Sequence, residues 1–312
     1  MKIIQYTKDY KHQWNDFIKN SKNSHFFFQR EYMEYHSDRF DDYSLLFLDE
    51  KDKLITVLPA NIKDDILYSH QGLTFGGFLV DDKMRTETML EVFETLKEFL
   101  KKENFQKMVY KCIPYTYHIK PSEEDRYALF RNDAGLIRRD VSSTINLTEQ
   151  VRYSRGRKSA INKAKKENIK ILESQDYKTY WNLLSGVLES NHAVKPVHSL
   201  EEMESLVDLF PKNIKLFLAL KDDEVVSGSL MYINTNTVHT QYLANSEIGR
   251  ETGALDLLID YLIKEVYKDK KYFDFGISNE DAGKYLNTGL IAQKERFGAR
   301  AVVQDFYELE IK

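Results

Sequence analysis

Residues 237–276 read TVHTQYLANSEIGRETGALDLLIDYLIKEVYKDKKYFDFG. The stretch opens with β-branched and aromatic residues up to Leu243, which predict a strand, and then passes through a polar loop holding Gly249 and Gly253. From Ala254 to Lys268 the apolar residues fall at helical spacing, and Tyr272–Phe275 returns to strand. A strand, a glycine-bearing loop, a helix and another strand predict parallel strands joined by a crossover. In such sheets ligands gather where strands end and helices begin.

Working outward, two strands, Ile214–Leu220 and Val225–Ile233, precede this unit and meet at the turn Lys221–Glu224. A helix over Asp281–Phe297 and a strand over Ala301–Glu308 follow it. The first half of the chain runs in the same order. Its strands Tyr43–Leu48, Leu54–Asn61 and Ile66–Ser69 lead to a loop with Gly72, Gly76 and Gly77. The helix Arg85–Glu103 carries Met89, Val92, Phe93, Leu96, Phe99 and Leu100 at spacings of three and four. A strand at Met108–Tyr110, a helix near Ser122–Asn132 and a strand at Leu136–Asn146 close the unit.

Matching starts in the two halves differ by roughly 165–171 positions, which points to a tandem duplication. Helices at Tyr10–Lys19 and Arg30–His36 open the first copy, and helices at Ser154–Glu167, Asp176–His192 and Ser199–Leu209 open the second. The expectation is an α/β protein with mixed (α+β) sheets and two tandem domains, 1–148 and 149–312, the second carrying the active site. A length of 312 residues agrees, because one hydrophobic core stops growing at roughly 250–300 residues.

Composition narrows the classes. With 42% hydrophobic and 30% charged residues and five prolines, the chain is globular, with little room for disorder. The apolar runs are only a few residues long, and the first twenty residues lack a secretory apolar region, so no membrane span is expected and the cytoplasm is the expected compartment. The lone Cys112 excludes an intramolecular disulfide or a cysteine metal cluster and reads as a core residue; no metal site is expected. A net charge of −4 argues against a surface that is wholly a nucleic-acid footprint. Hydrolase, ATPase and dehydrogenase motifs are absent in their required contexts.

Three features carry candidate chemistry. In the loop Arg250-Glu251-Thr252-Gly253-Ala254, a helix start offers unpaired N–H groups to an anion and Gly253 allows close approach, so Arg250 and Gly253 are candidate cofactor-binding residues; Gly249 and Gly253 could equally make only the turn. Backbone amides near Leu243 and Ala244 would polarise an acyl carbonyl. In the segment with Asn287, Gly289 and Leu290, Lys294 borders the inward stripe and should either snorkel outward or meet a phosphate, so Asn287 and Lys294 are candidate substrate-binding residues. The basic run from Arg152 to Lys166 puts Arg155 and Arg157 at a helix start, where they form a solvated face or hold an anion. For proton transfer from an amine nucleophile the candidates are Asp274, Glu280, His239 and Tyr242. Clusters such as His25–Phe28 and Ser69-His70-Gln71-Gly72-Leu73, near turns, are expected either to line the cleft between the domains or, in better agreement with the aromatic content, to be core aromatics.

Two C-terminal stretches, Tyr272-Phe273-Asp274-Phe275-Gly276 and Gly289-Leu290-Ile291-Ala292-Gln293-Lys294-Glu295-Arg296-Phe297-Gly298, resemble the D-F/L-G strand and G-L-x-x-F-K-x-x-F-G helix of the Fem family, with Gln293 where an aromatic is usual. The run Ser154–Lys166 is similar to that family's basic helix. The family comprises peptidoglycan-bridge aminoacyltransferases and their acetyltransferase-like (GNAT-like) relatives. The resemblance implies two tandem GNAT-like domains and transfer of an acyl or aminoacyl group to an amine of a cell-wall or polysaccharide precursor. It also implies that Lys294 faces a substrate phosphate. The implied donor is acyl-CoA or aminoacyl-tRNA acting as co-substrate, with no permanently bound cofactor. The implied partners are a phosphate-bearing small-molecule or lipid-linked sugar and, for the second donor, tRNA. The alternative is a non-catalytic GNAT-like protein that binds a polysaccharide precursor or a protein partner.

Overall fold

A computed structural model describes residues 1–192 and 195–312. The chain divides into two compact units. One comprises Met1–Asp140, Asn279–Tyr285 and Val303–Lys312; the other comprises Val141–Ser278 and Leu286–Val302. This division by contact differs from the sequence division at 148/149 because the last strand of the chain pairs into the first unit, Phe306–Glu310 running antiparallel to Lys107–Lys111.

In the first unit, β1 (Lys2–Gln5), β3 (Leu45–Leu48), β4 (Leu54–Leu58) and β7 (Leu79–Val80) form an antiparallel sheet in the order β1-β3-β4-β7. A second set of strands includes β2 (Asp41–Asp42), β5 (Asn61–Lys63), β6 (Ile66–Tyr68) and β8 (Lys107–Lys111). Within it β6 and β8 run parallel for three residues, Ile66 facing Lys107, Leu67 facing Met108 and Tyr68 facing Val109. Helices α1 (Lys11–Asn20), α2 (Arg30–Glu34), α3 (Thr86–Lys102) and α4 (Glu124–Arg131) complete the unit. The five residues Met89, Val92, Phe93, Leu96 and Leu100 of α3 are buried in one core with Met108 and Tyr110, as their spacing predicts. Cys112 lies in the same core, where burial pushes its thiol well above the usual range.

Strand β9 (Gly135–Asn146) leads into the second unit. There follow α5 (Arg155–Lys166), β10 (Lys170–Ser174), α6 (Tyr177–His192), α7 (Leu200–Leu209), β11 (Ile214–Lys221), β12 (Glu224–Ile233) and β13 (Thr237–Asn245). The chain continues through α8 (Glu247–Thr252), α9 (Ala254–Tyr261) and β14 (Tyr272–Ile277). The strands lie in the order β10-β11-β12-β13-β14-β9, and only β13 and β14 are parallel neighbours. Apolar residues of α5 and α9 close one face with Phe217, Met231, Val238 and Phe273, while α6 lies across β12 and β13.

Local chemistry sets the helix ends. Ser154, Ser199 and Ser246 each accept a backbone N–H at a helix start, and Ser199 forms a reciprocal capping box with Glu202. Two sequence expectations change. The helix expected to run to Lys268 leaves α geometry at Leu262 and continues as one π-helical turn to Val266. The helix expected over 281–297 is not continuous. Asp281, Ala282 and Gly283 take φ of 46°, 48° and 89°, which an α-helix cannot accommodate, so β15 (Asn279–Glu280), a 3-10 turn and β16 (Tyr285–Leu286) precede a shorter α10 (Thr288–Glu295). Strand β17 (Arg300–Glu310) ends the chain.

Candidate functional site

The parallel pairing of β13 and β14 lasts three residues and ends where His239 faces Asp274. Beyond this point both strands leave the ladder. On β13 the register against β12 slips between Leu230 and Met231, so that Gln241 is the extra residue of a bulge. On β14 the register against β9 slips after Asp274, and Gly276 turns the chain at φ 76°. The result is a split between adjacent parallel strands with two titratable side chains at its root.

His239 Nδ1 lies 2.8 Å from Asp274 Oδ2. The hydroxyls of Ser142 and Thr144 on β9 both donate to Asp274 Oδ1 at 2.6 Å, and the Gly276 N–H donates to Oδ2 at 3.2 Å. Burial pushes the Asp274 carboxyl up, but the hydrogen bond and charge of His239, with the two hydroxyls, outweigh it and hold Asp274 at about 2. An ionised carboxylate only accepts, so the proton of a neutral imidazole sits on Nδ1 and the lone pair on Nε2. Among the described residues Nε2 has no hydrogen-bond partner, and the imidazole keeps 16% of its side-chain surface exposed. Gly276 makes room for it, since a Cβ there would stand 2.9 Å from His239 Cε1.

Lys294 joins the same root from α10. It neither snorkels outward nor stands open to a phosphate: it is buried, and its ammonium donates to the carbonyls of Gly276 at 2.9 Å and Ile277 at 2.7 Å. Burial pushes its pKa down to about 8, with the Asp274 charge opposing that shift. His239, Asp274 and Lys294 are thus brought together from three elements.

The other expected residues are placed differently. The register puts Tyr242 opposite Leu230 and His239 opposite Tyr232, on one face of the sheet, but the Tyr242 hydroxyl sits 2.7 Å from His198 Nδ1. Burial raises its pKa. Glu280 is exposed and belongs to the first unit. Leu243 and Ala244 lie on β13 beyond its last pair with β14; Leu243 packs on the core and the Ala244 carbonyl accepts from Ser227 at 2.8 Å. Arg250 is exposed and donates to the Asn245 carbonyl at 3.1 Å.

Gly253 takes φ 77° between α8 and α9, and a Cβ there would come within 2.6 Å of the Ala160 carbonyl, so the left-handed backbone and the helix packing both call for glycine. Arg155 is exposed in the first turn of α5. Arg157 is occupied: it pairs with Asp256 at 2.6 Å, donates to the Gln293 carbonyl at 3.3 Å and stacks 4.4 Å from the Phe297 ring centroid. Asn287 caps α10 by accepting the Leu290 N–H at 3.0 Å. Sequence reasoning missed Ser142 and Thr144; the run Ser142-Ser143-Thr144 of hydroxyl residues within a strand was the available signal.

Residues 152–284, which contain this split, match the family model for the acetyltransferase (GNAT) domain. Among curated proteins no relative matches the sequence. Solved structures share the fold at low identity. FemX is similar at 12% identity with a TM-score of 0.68, the match covering 98% of this chain and 97% of that one. L-PGS from Bacillus licheniformis is similar at 10% identity and a TM-score of 0.57, over 87% and 84% of the two chains. A tandem GNAT protein from the clavulanic acid biosynthesis pathway is similar at 9% identity and a TM-score of 0.54, over 100% and 98%. Residues 152–284 are thus similar to the GNAT acetyltransferase domain, and the chain shares the mixed α/β fold of FemX and of a tandem GNAT protein.

Proposed function

We propose that the second sequence copy, 149–312, forms an amide by transferring an acyl or aminoacyl group to an amine of a cell-wall or polysaccharide precursor, with His239 as general base. The observation that carries this reading is the His239–Asp274 pair at the root of the split between β13 and β14. The amine nitrogen attacks the carbonyl carbon of a thioester or ester and forms the C–N bond. His239 Nε2 accepts the proton the amine sheds, and the C–S or C–O bond breaks as the leaving group takes that proton back from the imidazolium, which restores the neutral base. Asp274 fixes the tautomer and stabilises the imidazolium that forms. The backbone of Leu243 and Ala244, past the end of the parallel pairing, is where the carbonyl oxygen would be received.

Lys294 acts in this scheme by holding the Gly276 and Ile277 carbonyls. Of the two candidate arginines, Arg155, exposed at the start of α5, is the one free to meet a phosphate on the acceptor, since Arg157 is paired with Asp256. Acyl-CoA is the donor that the GNAT domain match favours, with aminoacyl-tRNA as the other arm of the test. Labelled acetyl-CoA and charged tRNA, each offered with a panel of amino-sugar nucleotides, should give amide product from one donor, and His239→Gln should abolish it. Product formed equally by that variant would overturn the assignment of the base.

A further inference from the structure

The loop after β6 in the first unit has an unusual arrangement of peptide groups. The ammonium of Lys111, at the end of β8, donates to the carbonyls of His70 at 3.0 Å, Gln71 at 3.2 Å and Leu73 at 2.7 Å. The Gln304 amide donates to the carbonyl of Thr74. A lysine has three donors, so Lys111 is fully used by the loop. Each trans peptide places the N–H opposite its carbonyl. Drawing in the carbonyls of residues 70, 71, 73 and 74 therefore turns the N–H groups of Gln71, Gly72, Thr74 and Phe75 away from Lys111 and Gln304.

Of these, only the Gln71 N–H has a partner, the Asn61 side chain at 2.7 Å. Among the described residues the amides of Gly72, Thr74, Phe75, Gly76 and Gly77 donate to nothing. Thr74 is exposed and Gly72 partly so, whereas Phe75, Gly76 and Gly77 are buried, and buried backbone donors without partners are rare. The buried flank is closely packed, since a Cβ on Gly76 would lie 1.8 Å from the Ser69 carbonyl. Peptide dipoles aligned with positive ends outward, backed by a cation, make an anion-binding concavity. Burial lowers the Lys111 pKa to about 8, so it is still charged at neutral pH.

We propose that the loop Gly72–Phe75 is an oxyanion site of the first unit that takes a phosphate-bearing ligand, with Lys111 as the positioning residue that orients its amides. Three unpartnered N–H groups, those of Gly72, Thr74 and Phe75, are turned away from Lys111 and Gln304, more than one carboxylate oxygen needs, which favours phosphate. The site does not depend on the transfer chemistry assigned to His239.

The test is titration of the full-length, 15N-labelled protein with inorganic pyrophosphate up to about 10 mM, a range suited to weak anion binding. The amide signals of Gly72, Thr74 and Phe75 should move saturably, and equally so in His239→Gln. Lys111→Met should weaken the response by about tenfold or more, as expected for loss of a charge-assisted anchor. Should that variant not fold, Gln304→Met, which frees only the Thr74 carbonyl, should reduce the Thr74 and Phe75 shifts. Amides that stay still, or that move as much with sodium acetate at matched ionic strength, would overturn the proposal.

Discussion

His239 and Asp274 face each other at the last paired position of two parallel strands, 2.8 Å apart, with the carboxylate also bonded by Ser142 and Thr144. The bond between them helps to hold Asp274 ionised and at the same time directs the His239 Nε2 lone pair away from the carboxylate.

Replacing His239 by Gln should lower the transfer rate by about 10²–10⁴-fold with little change in substrate affinity, the usual range for removing a general base. Asp274→Asn keeps the shape but can stabilise the wrong tautomer, so kcat should fall while the fold persists. Steady-state kinetics on both variants separate these effects.

Asp274 is held at about 2, below its ordinary value of 3.8. Below about pH 4 the unfolded chain takes up this proton first, so stability falls as pH drops from about 4 through about 2, by on the order of 2 kcal/mol for this group alone. Chemical denaturation across that window should show a smaller acid-dependent loss in Asp274→Asn than in the parent.

Gly253→Ala should lower stability by about 1–3 kcal/mol, because it strains a left-handed residue and drives a Cβ against the Ala160 carbonyl. Thermal unfolding measures this. An unchanged Tm with lost donor binding would instead return Gly253 to the cofactor role expected from the sequence.

The two arginines of α5 should separate cleanly. Arg157→Met leaves Asp256 mostly buried without its partner and should cost about 3–5 kcal/mol, the range for breaking a buried pair. Arg155→Ala should leave stability within about 0.5 kcal/mol and raise KM for a phosphate-bearing acceptor.

Lys294→Met removes the donor from two carbonyls at the β14 end and should destabilise by about 2–3 kcal/mol. It should also lower kcat, since the Gly276 turn supports the His239 ring; equilibrium unfolding and single-turnover rates together check both effects.

Much of the architecture was legible in local patterns. The apolar spacing of α3, the alternation in β11 to β13 and the serines before α5 and α7 are short-range signals, and each produced its element within a residue or two. Where the local signal misled, a backbone angle was responsible. Nothing in Asp281 or Ala282 as residue types demands positive φ, so the break before α10 was not readable.

The sequence by itself determined the order of elements, their repetition, and the position of His239 and Asp274 near the ends of second-copy strands with Lys294 on the helix that follows, because helix and strand periodicity are properties of neighbours along the chain. Tertiary structure alone decided which of those residues meet. The His239–Asp274 contact spans 35 positions, and the hydroxyls of Ser142 and Thr144 reach Asp274 from 130 positions or more away. It also decided that Arg157 is an internal strut and that Gly253 serves packing, since a charge or a glycine has no fixed role until the groups around it are set by the packed strands and helices.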